Sequence, residues 1–384
     1  MNRMNKMNRM NHKKIQACDK EDPSYESCMR VFSKDLQISA KPTPPHKHTL
    51  PNRIKQYYYL LDKLSLLKND DCLEKKSFTD GSQGYTIRNI INLKKRIGSK
   101  SKYGIIYLTS IPSLANTYPI ATKVMPYTLN NLYEVNIMMI ITGDILLRGL
   151  SRHFLMNYGG CVCSKRIAQK LKLISINELA DGDIKMIIEI PDVVGNTELM
   201  FNLFIQSFIS IATFQNLIGY VHRDTHYGNF LYQTNSEKGY YHYIFNGKDY
   251  YLKSCKYNII IYDYGFARRI DTYMKDNEHN CKVSIYKDYS KIMNAFIKKN
   301  KGGWNALPIY DKNMSDTIIL FKNALYQHIK HETDSSSARN PNPIYPFSLF
   351  TYILEEMFLK HAPSGMFITI RPANVINATP FRIN

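Results

Sequence analysis

The most apolar long stretch of this 384-residue chain, VNIMMIITGDILL at 135–147, is too short to cross a bilayer and carries Asn136 and Asp144. No signal-peptide pattern is visible at the N-terminus. Cysteine is sparse and unpatterned: seven residues, an odd number, at scattered spacings. The C-x-C of Cys161 and Cys163 has no second pair nearby, so it is not a structural zinc site. Together these absences lead us to expect free thiols in a reducing compartment, no secretion and no membrane span. Acidic residues are also short, 32 Asp and Glu against 51 Lys and Arg, for a formal charge of +19. Such a balance favours acidic partners: nucleic acid, nucleoprotein, anionic membrane, acidic protein or nucleotide phosphates. No helix-turn-helix, zinc-finger or RNP-like signature accompanies it, so nucleic-acid binding rests on charge alone.

What is present is ordinary globular material, 44% hydrophobic and 22% charged, with length enough for a large two-lobed domain. Residues 1–53 begin with the low-complexity basic run MNRMNKMNRMNHKK and end in the Pro-rich KPTPPHKHTLP, which reads as a flexible arm. Residues 54–68 carry apolar side chains at helical spacing and head an N-terminal helical extension over 54–95. Strand-like runs follow at 103–111 and 119–125, then a helix over 129–150 and strand-like HFLMNYG and IKMIIEI. The long apolar stretch 198–221 reads as a buried helix. Asn246-Gly247 marks a hairpin turn, NIIIYDYG a buried strand, and 284–384 looks mostly helical. The order is α+β: a small sheet-rich part with one helix over 96–192, then a larger helical part over 193–384.

The chemistry concentrates in YVHRDTHYGNFLY at 220–232 and in Asp263-Tyr264-Gly265, with Asp263 34 residues beyond Asn229. A carboxylate such as Asp224 can orient an attacking hydroxyl. Asn229 and Asp263 offer hard oxygen ligands for divalent cations, and Gly265 permits a sharp turn. Taken in order, His222-Arg223-Asp224…Asn229 and Asp263-Tyr264-Gly265 resemble the H-R-D-x-x-x-x-N and D-F-G motifs of protein kinases, with Tyr in place of Phe. The resemblance spans about residues 96–300. It is nearest to the divergent serine/threonine kinases of large DNA viruses (iridovirus-like), which would place the protein in host cytoplasm or virion.

The resemblance implies a bilobal kinase fold, ATP with Mg²⁺ or Mn²⁺, and protein substrates, acidic or nucleoprotein-associated ones if charge is a guide. It also implies an upstream Lys, and PIATKVM supplies Lys123. Glu134 is the expected partner of Lys123, with Asp144 as the fallback. Gly104 lies 19 residues before Lys123 and Gly84 lies 39 before it, so the phosphate loop is assigned to 97–107, with Gly98, Ser99, Ser101, Gly104 and Ile106 lining the nucleotide. GSQG, within DGSQGYT at 80–86, becomes a surface turn. The hinge falls around Glu189 to Asp192, and Asp288 is the candidate brace of the catalytic loop. Arg223 can meet a phosphate on Thr272, Tyr273 or Ser284. The assigned loop departs from G-x-G-x-x-G, no A-P-E is recognisable, and His226 stands where serine/threonine kinases usually carry Lys.

Rival readings remain. D-x-H-x-G-N also occurs in kinases of small molecules, of aminoglycoside and choline type. A pseudokinase would keep the fold without transfer. A basic nucleic-acid-binding protein would show salt-steep binding without turnover.

Overall fold

Residues 48–68, 71–97, 104–114, 120–167, 170–188, 190–297, 312–334 and 346–384 are described by the computed structural model of the chain. They divide into two units. The first runs to Arg148 and adds Leu155–Leu179; the second joins Gly149–Phe154 to Ala180–Asn384. The boundary expected after residue 192 therefore lies at Leu179–Ala180, and six residues of the earlier stretch belong with the later unit. Of the expected arm, residues 1–47 lie outside the described residues.

The first unit opens with helix α1 (Leu50–Leu64), whose N-cap Thr49 accepts from the Asn52 amide. Strands β1 (Glu74–Ser77), β2 (Gln83–Ile87), β3 (Ile91–Ile97), β4 (Ile105–Ser110) and β5 (Ile120–Pro126) follow, then helix α2 (Leu129–Ile140), β6 (Asn157–Ile167) and β7 (Lys170–Glu178). All seven strands pair antiparallel in the order β1-β2-β3-β4-β5-β7-β6, and the sheet curls into a half-barrel. Met125, Leu132, Val135, Met139, Val162 and Leu173 form the core between α2 and the sheet. A bidentate ion pair, Arg53 to Glu178 with both contacts at 2.7 Å, fixes α1 to the end of β7 in a buried setting.

Three expectations change in this unit. The extension over 54–95 is helical only in α1; three strands occupy the remainder. Arg88 and Asn89, both at positive φ, turn β2 into β3, and Ile90 donates back to Ile87. Without glycine that turn carries little sequence signal. Of GSQG, Gly81 and Ser82 lie in the β1–β2 turn as the surface-turn reading has it, whereas Gln83 and Gly84 already belong to β2 and pair with Ser77 and Lys76. Cys163 is not an idle thiol: it is bonded to Cys72, with Cα atoms 4.7 Å apart. The partners stand 91 residues apart and meet only through the fold, so spacing could not pair them. The free-thiol argument for a reducing compartment loses its ground at this pair. Cys161, Cys255 and Cys281 are free.

The second unit begins with β8 (Gly182–Asp183) and helix α3 (Ile184–Ile188). Residues 184–190 were expected as a strand. Ile184, Ile187 and Ile188 are buried while Lys185 and Met186 are exposed, which is helical spacing, and Asp183 accepts the Met186 amide. Helix α4 (Thr197–Thr213) continues as a π turn to Ile218 and stops at Gly219, φ +83°. At 22 residues Thr197–Ile218 passes the length and composition of a membrane span, but most of it is buried inside the protein, so no clear span is seen among the described residues. Its polar side chains serve the core: Gln206 donates to Tyr257 O (3.0 Å) and accepts from Ile259 N (2.9 Å).

Beyond α4 lie β9 (Tyr220–Val221), β10 (Phe230–Thr234), β11 (Tyr240–Phe245), β12 (Lys248–Lys253), β13 (Tyr257–Ile261) and β14 (Arg268–Arg269). Asn246 and Gly247, both at positive φ, close the expected β11–β12 hairpin, and all of β13 is buried. Helices α5 (Ile270–Asp276), α6 (Glu278–Met293), α7 (Lys312–Asp334) and α8 (Pro346–Tyr352) come next. The chain stays helical through a π turn to His361 and then leaves helix: β15 (Phe367–Ile368) and β16 (Phe381–Arg382) flank the hairpin in the order β15-β12-β11-β16. The mostly helical reading of 284–384 holds as far as His361 among the described residues and gives way to strand beyond it, because the exposed hairpin edges offer hydrogen bonds that a tail of short apolar runs can take.

Reduction of Cys72–Cys163, or Cys163→Ser, is expected to lower unfolding stability by about 2–4 kcal/mol, measured by chemical denaturation with and without reductant.

Candidate active site

The YVHRDTHYGNFLY stretch begins as β9, crosses a tight loop and leaves as β10. Its shape is fixed from α6. Both carboxylate oxygens of Asp288 accept loop amides, His222 N–H at 2.8 Å and Arg223 N–H at 2.7 Å. The Thr225 hydroxyl donates to the Asp288 carbonyl, and Gln215 donates to the same carboxylate. Burial pushes the Asp288 carboxyl up, against the downward pull of His222, Gln215 and the Arg223 amide. The sequence named Asp288 as the brace; Gln215 it did not name.

His222 is buried. Its Nε2 donates to Tyr262 O at 2.9 Å while Nδ1 accepts the Asp224 amide, so the ring is the neutral Nε2–H tautomer. Burial holds its pKa below the usual histidine range, outweighing the carboxylates of Asp288, Asp263 and Asp224. It packs edge-on against Phe214 and Tyr264. Tyr264, the residue replacing Phe in Asp-Phe-Gly, is also buried. It stacks on Phe214 and donates its hydroxyl to Ile261 O at 2.7 Å.

Asp224 is half-buried. Burial alone pushes its carboxyl up, but hydrogen bonds from His226 and Lys291 prevail and hold it well below the usual carboxylate range. His226 Nδ1 accepts the Gly228 amide, so Nε2 carries the proton that faces Asp224 Oδ2, 3.5 Å away. Asn229 Nδ2 donates to Asp224 O (2.8 Å) and Oδ2 (3.2 Å). That turns the amide oxygen of Asn229 the other way, and no described residue donates to it. Pairing of Phe230 with Ile261, and the Tyr262 amide on Asn229 O, bring Asn229 beside Tyr262-Asp263. Arg223 and Asp263 both hold positive φ, +70° and +66°, a costly backbone state for residues that are not glycine. Arg223 donates to Phe266 O and lies over the Tyr273 ring, which Arg268 also faces. Tyr273 is buried, Thr272 exposed, and Ser284 donates to Asn280 O.

In the first unit, Lys123 on β5 and Glu134 on α2 form a buried ion pair, Nζ to Oε1 at 2.6 Å. Glu134 is therefore the partner of Lys123, and the fallback Asp144 sits beyond α2 in a π turn. Ile106 pairs with Lys123 across β4–β5. A Cβ on Gly104 would come 2.8 Å from Met125 Cγ and 3.1 Å from Val124 O, so a side chain at the entry to β4 would force its neighbours to shift. Gly98, Ser99 and Ser101 lie outside the described residues, as does Glu189 of the expected hinge. Asp192 lies in a turn of helix over Pro191–Val194, not after a strand, because the last sheet strand ends at Glu178.

Lys291 was missed. It lies on α6, three residues after Asp288 and 67 from Asp224 in sequence, and its ammonium contacts Asp224 Oδ1. The sequence carried only the helical spacing from Asp288 as a hint. Among the described residues no cluster of three or more His, Cys, Asp or Glu is placed to hold a metal. Asn229 with Asp263 remains a donor set suited to Mg²⁺ or Mn²⁺, which takes few protein oxygens and completes its shell with water and phosphate. No protein-family model matches the chain, and no curated protein matches it either.

Two outcomes follow. Lys123→Ala strands a buried carboxylate and is expected to destabilise the fold by about 3–5 kcal/mol in urea titration, so it costs folding as well as any turnover. His222 keeps a lowered folded pKa, so the unfolded chain binds more protons below its ordinary value of 6.5. Stability from this residue is full above that pH and falls as pH drops toward the folded pKa. His222→Gln should flatten that limb of the stability–pH curve relative to wild type.

Proposed function

We propose that the chain is an ATP-dependent protein kinase of bilobal protein-kinase fold that transfers the γ-phosphate to Ser or Thr hydroxyls of proteins. The observation that carries this reading is the buried Lys123–Glu134 ion pair, 2.6 Å long, between a strand and a helix. Both residues were singled out from the sequence for this chemistry. Further support comes from the strand order β3-β4-β5-β7-β6 with α2 between β5 and β6, which matches the small lobe of that fold. The bracing of the Asp224 loop by Asp288 supports it as well.

In this reading Lys123 holds the α- and β-phosphates and Glu134 fixes its ammonium. Gly104 and Ile106 line the nucleotide. Asp224 orients the acceptor hydroxyl, and its low pKa suits it to hold a hydrogen bond more than to keep a proton. Asn229 and Asp263 would hold the divalent cations, which when bound neutralise phosphate charge. Acidic substrates agree with the +19 balance.

A second reading has two observations in its favour. Helix α5 starts at Ile270, seven residues after Asp263, leaving little chain for a peptide-docking platform. That, with His226 facing Asp224, suits a small-molecule acceptor of aminoglycoside or choline type.

The test is transfer from γ-labelled ATP with Mg²⁺ or Mn²⁺ to the protein itself, casein, a basic protein, an aminoglycoside and choline. Label on Ser or Thr is expected in wild type, with a loss of about 10²-fold or more in Asp263→Asn. Label on the small molecules alone moves the assignment to the second reading. Wild type and Asp263→Asn transferring equally would falsify both.

A further inference from the structure

The loop residue two beyond Asp224 is His226, whose Nδ1 is committed to the Gly228 amide. The full positive charge on Asp224 comes instead from α6, where Lys291 Nζ lies 2.5 Å from Asp224 Oδ1. Lys291 follows Asp288 by three residues, so one face of α6 carries both the side chain that clamps the loop and the ammonium that reaches its carboxylate. Stability does not account for the pair. The side chains are 35% and 26% exposed, and ion pairs that open to water contribute little. An ammonium has three donors; Asp224 takes one, and the others stand beside the carboxylate that orients the acceptor.

We propose that Lys291 is a catalytic residue: its ammonium binds the γ-phosphoryl group beside Asp224, supplying from α6 the cation that the loop lacks. This rests on the kinase reading above. In the step it serves, the acceptor oxygen bonds to the γ-phosphorus as the bond to the bridging oxygen breaks, and that electron pair leaves with ADP. The hydroxyl proton passes to Asp224 and then to water. Lys291 gives up no proton. It offsets the negative charge of both the phosphoryl oxygens and Asp224, so that an anionic group can approach a carboxylate.

The experiment compares wild type, Lys291→Met, Lys291→Arg and Lys291→Met/His226→Lys by calorimetric titration with Mg-ATP and Mg-ADP, by label transfer, and by Tm. Lys291→Met should weaken Mg-ATP about tenfold and leave Mg-ADP unchanged. Its kcat should fall about 10²-fold. Lys291→Arg and the double variant should each recover part of both losses. A brace without phosphate contact would lower Tm and leave the ATP-to-ADP affinity ratio as in wild type. An unchanged ratio in Lys291→Met, with wild type still transferring label and Asp263→Asn not, overturns the role of Lys291 alone. Wild type binding neither nucleotide overturns it together with the kinase reading.

Discussion

The buried carboxylate of Asp288 is the constraint from which the site takes its shape. Burying a charge is costly unless every lone pair is used, and here two loop amides and the Gln215 amide use them. The same bonds hold Arg223 in a left-handed backbone that it would not keep alone. With Arg223 fixed, the peptide before Asp224 points one way only, and His222 can turn its Nε2 to Tyr262. Asp224, Asn229 and the Asp263 strand end are thus positioned by one residue on a later helix, 66 and 65 positions beyond the His222 and Arg223 amides it accepts. Rigid support of this kind is what the role proposed for Asp224 requires of the loop that carries it.

The first unit repeats the principle with full ion pairs. Lys123 with Glu134, and Arg53 with Glu178, are each buried and close. Glu178 also accepts the Met156 amide, so one carboxylate joins α1, β7 and the entry to β6. Replacing such pairs by apolar side chains would often stabilise a protein. Their presence in a sheet otherwise packed with Ile, Leu, Val and Met is better understood as fixing register and orientation. On β5 that means fixing where the Lys123 ammonium stands.

What could be read in the sequence was local. Asp224, Asn229 and Asp263 declare themselves by spacing, Asn246-Gly247 by turn chemistry, and β13 by its unbroken apolar run. Glu134 comes from the kinase resemblance, which asks for a Glu on the helix that follows the Lys123 strand. What was hidden depended on contacts between distant residues. Cys72 and Cys163 meet only after the sheet has formed, and Lys291 reaches Asp224 only because α6 packs under the loop. Other misses came from weak or ambiguous local signals. Arg88-Asn89 makes a hairpin without the glycine that would announce it, and Ile184, Ile187 and Ile188 read equally as strand or helix in so short a run. The phosphate-binding assignments at Gly98, Ser99 and Ser101 stay as the sequence left them.

Gly149–Phe154 sits within the first unit's sequence yet packs in the second. His153 bonds Ile259 O and the Tyr243 hydroxyl, Arg152 lies on the Tyr241 ring, and Leu150 O accepts the Arg382 amide. During synthesis these six residues emerge long before any of those partners. The ribosome must add more than 230 residues before Arg382 arrives, so the segment waits without its contacts while its neighbours on both sides can already fold. Late closure of so long a loop makes completion of the second unit a non-local, slow event. An early translational stop would leave His153 and Phe154 exposed as a target for chaperones or proteases.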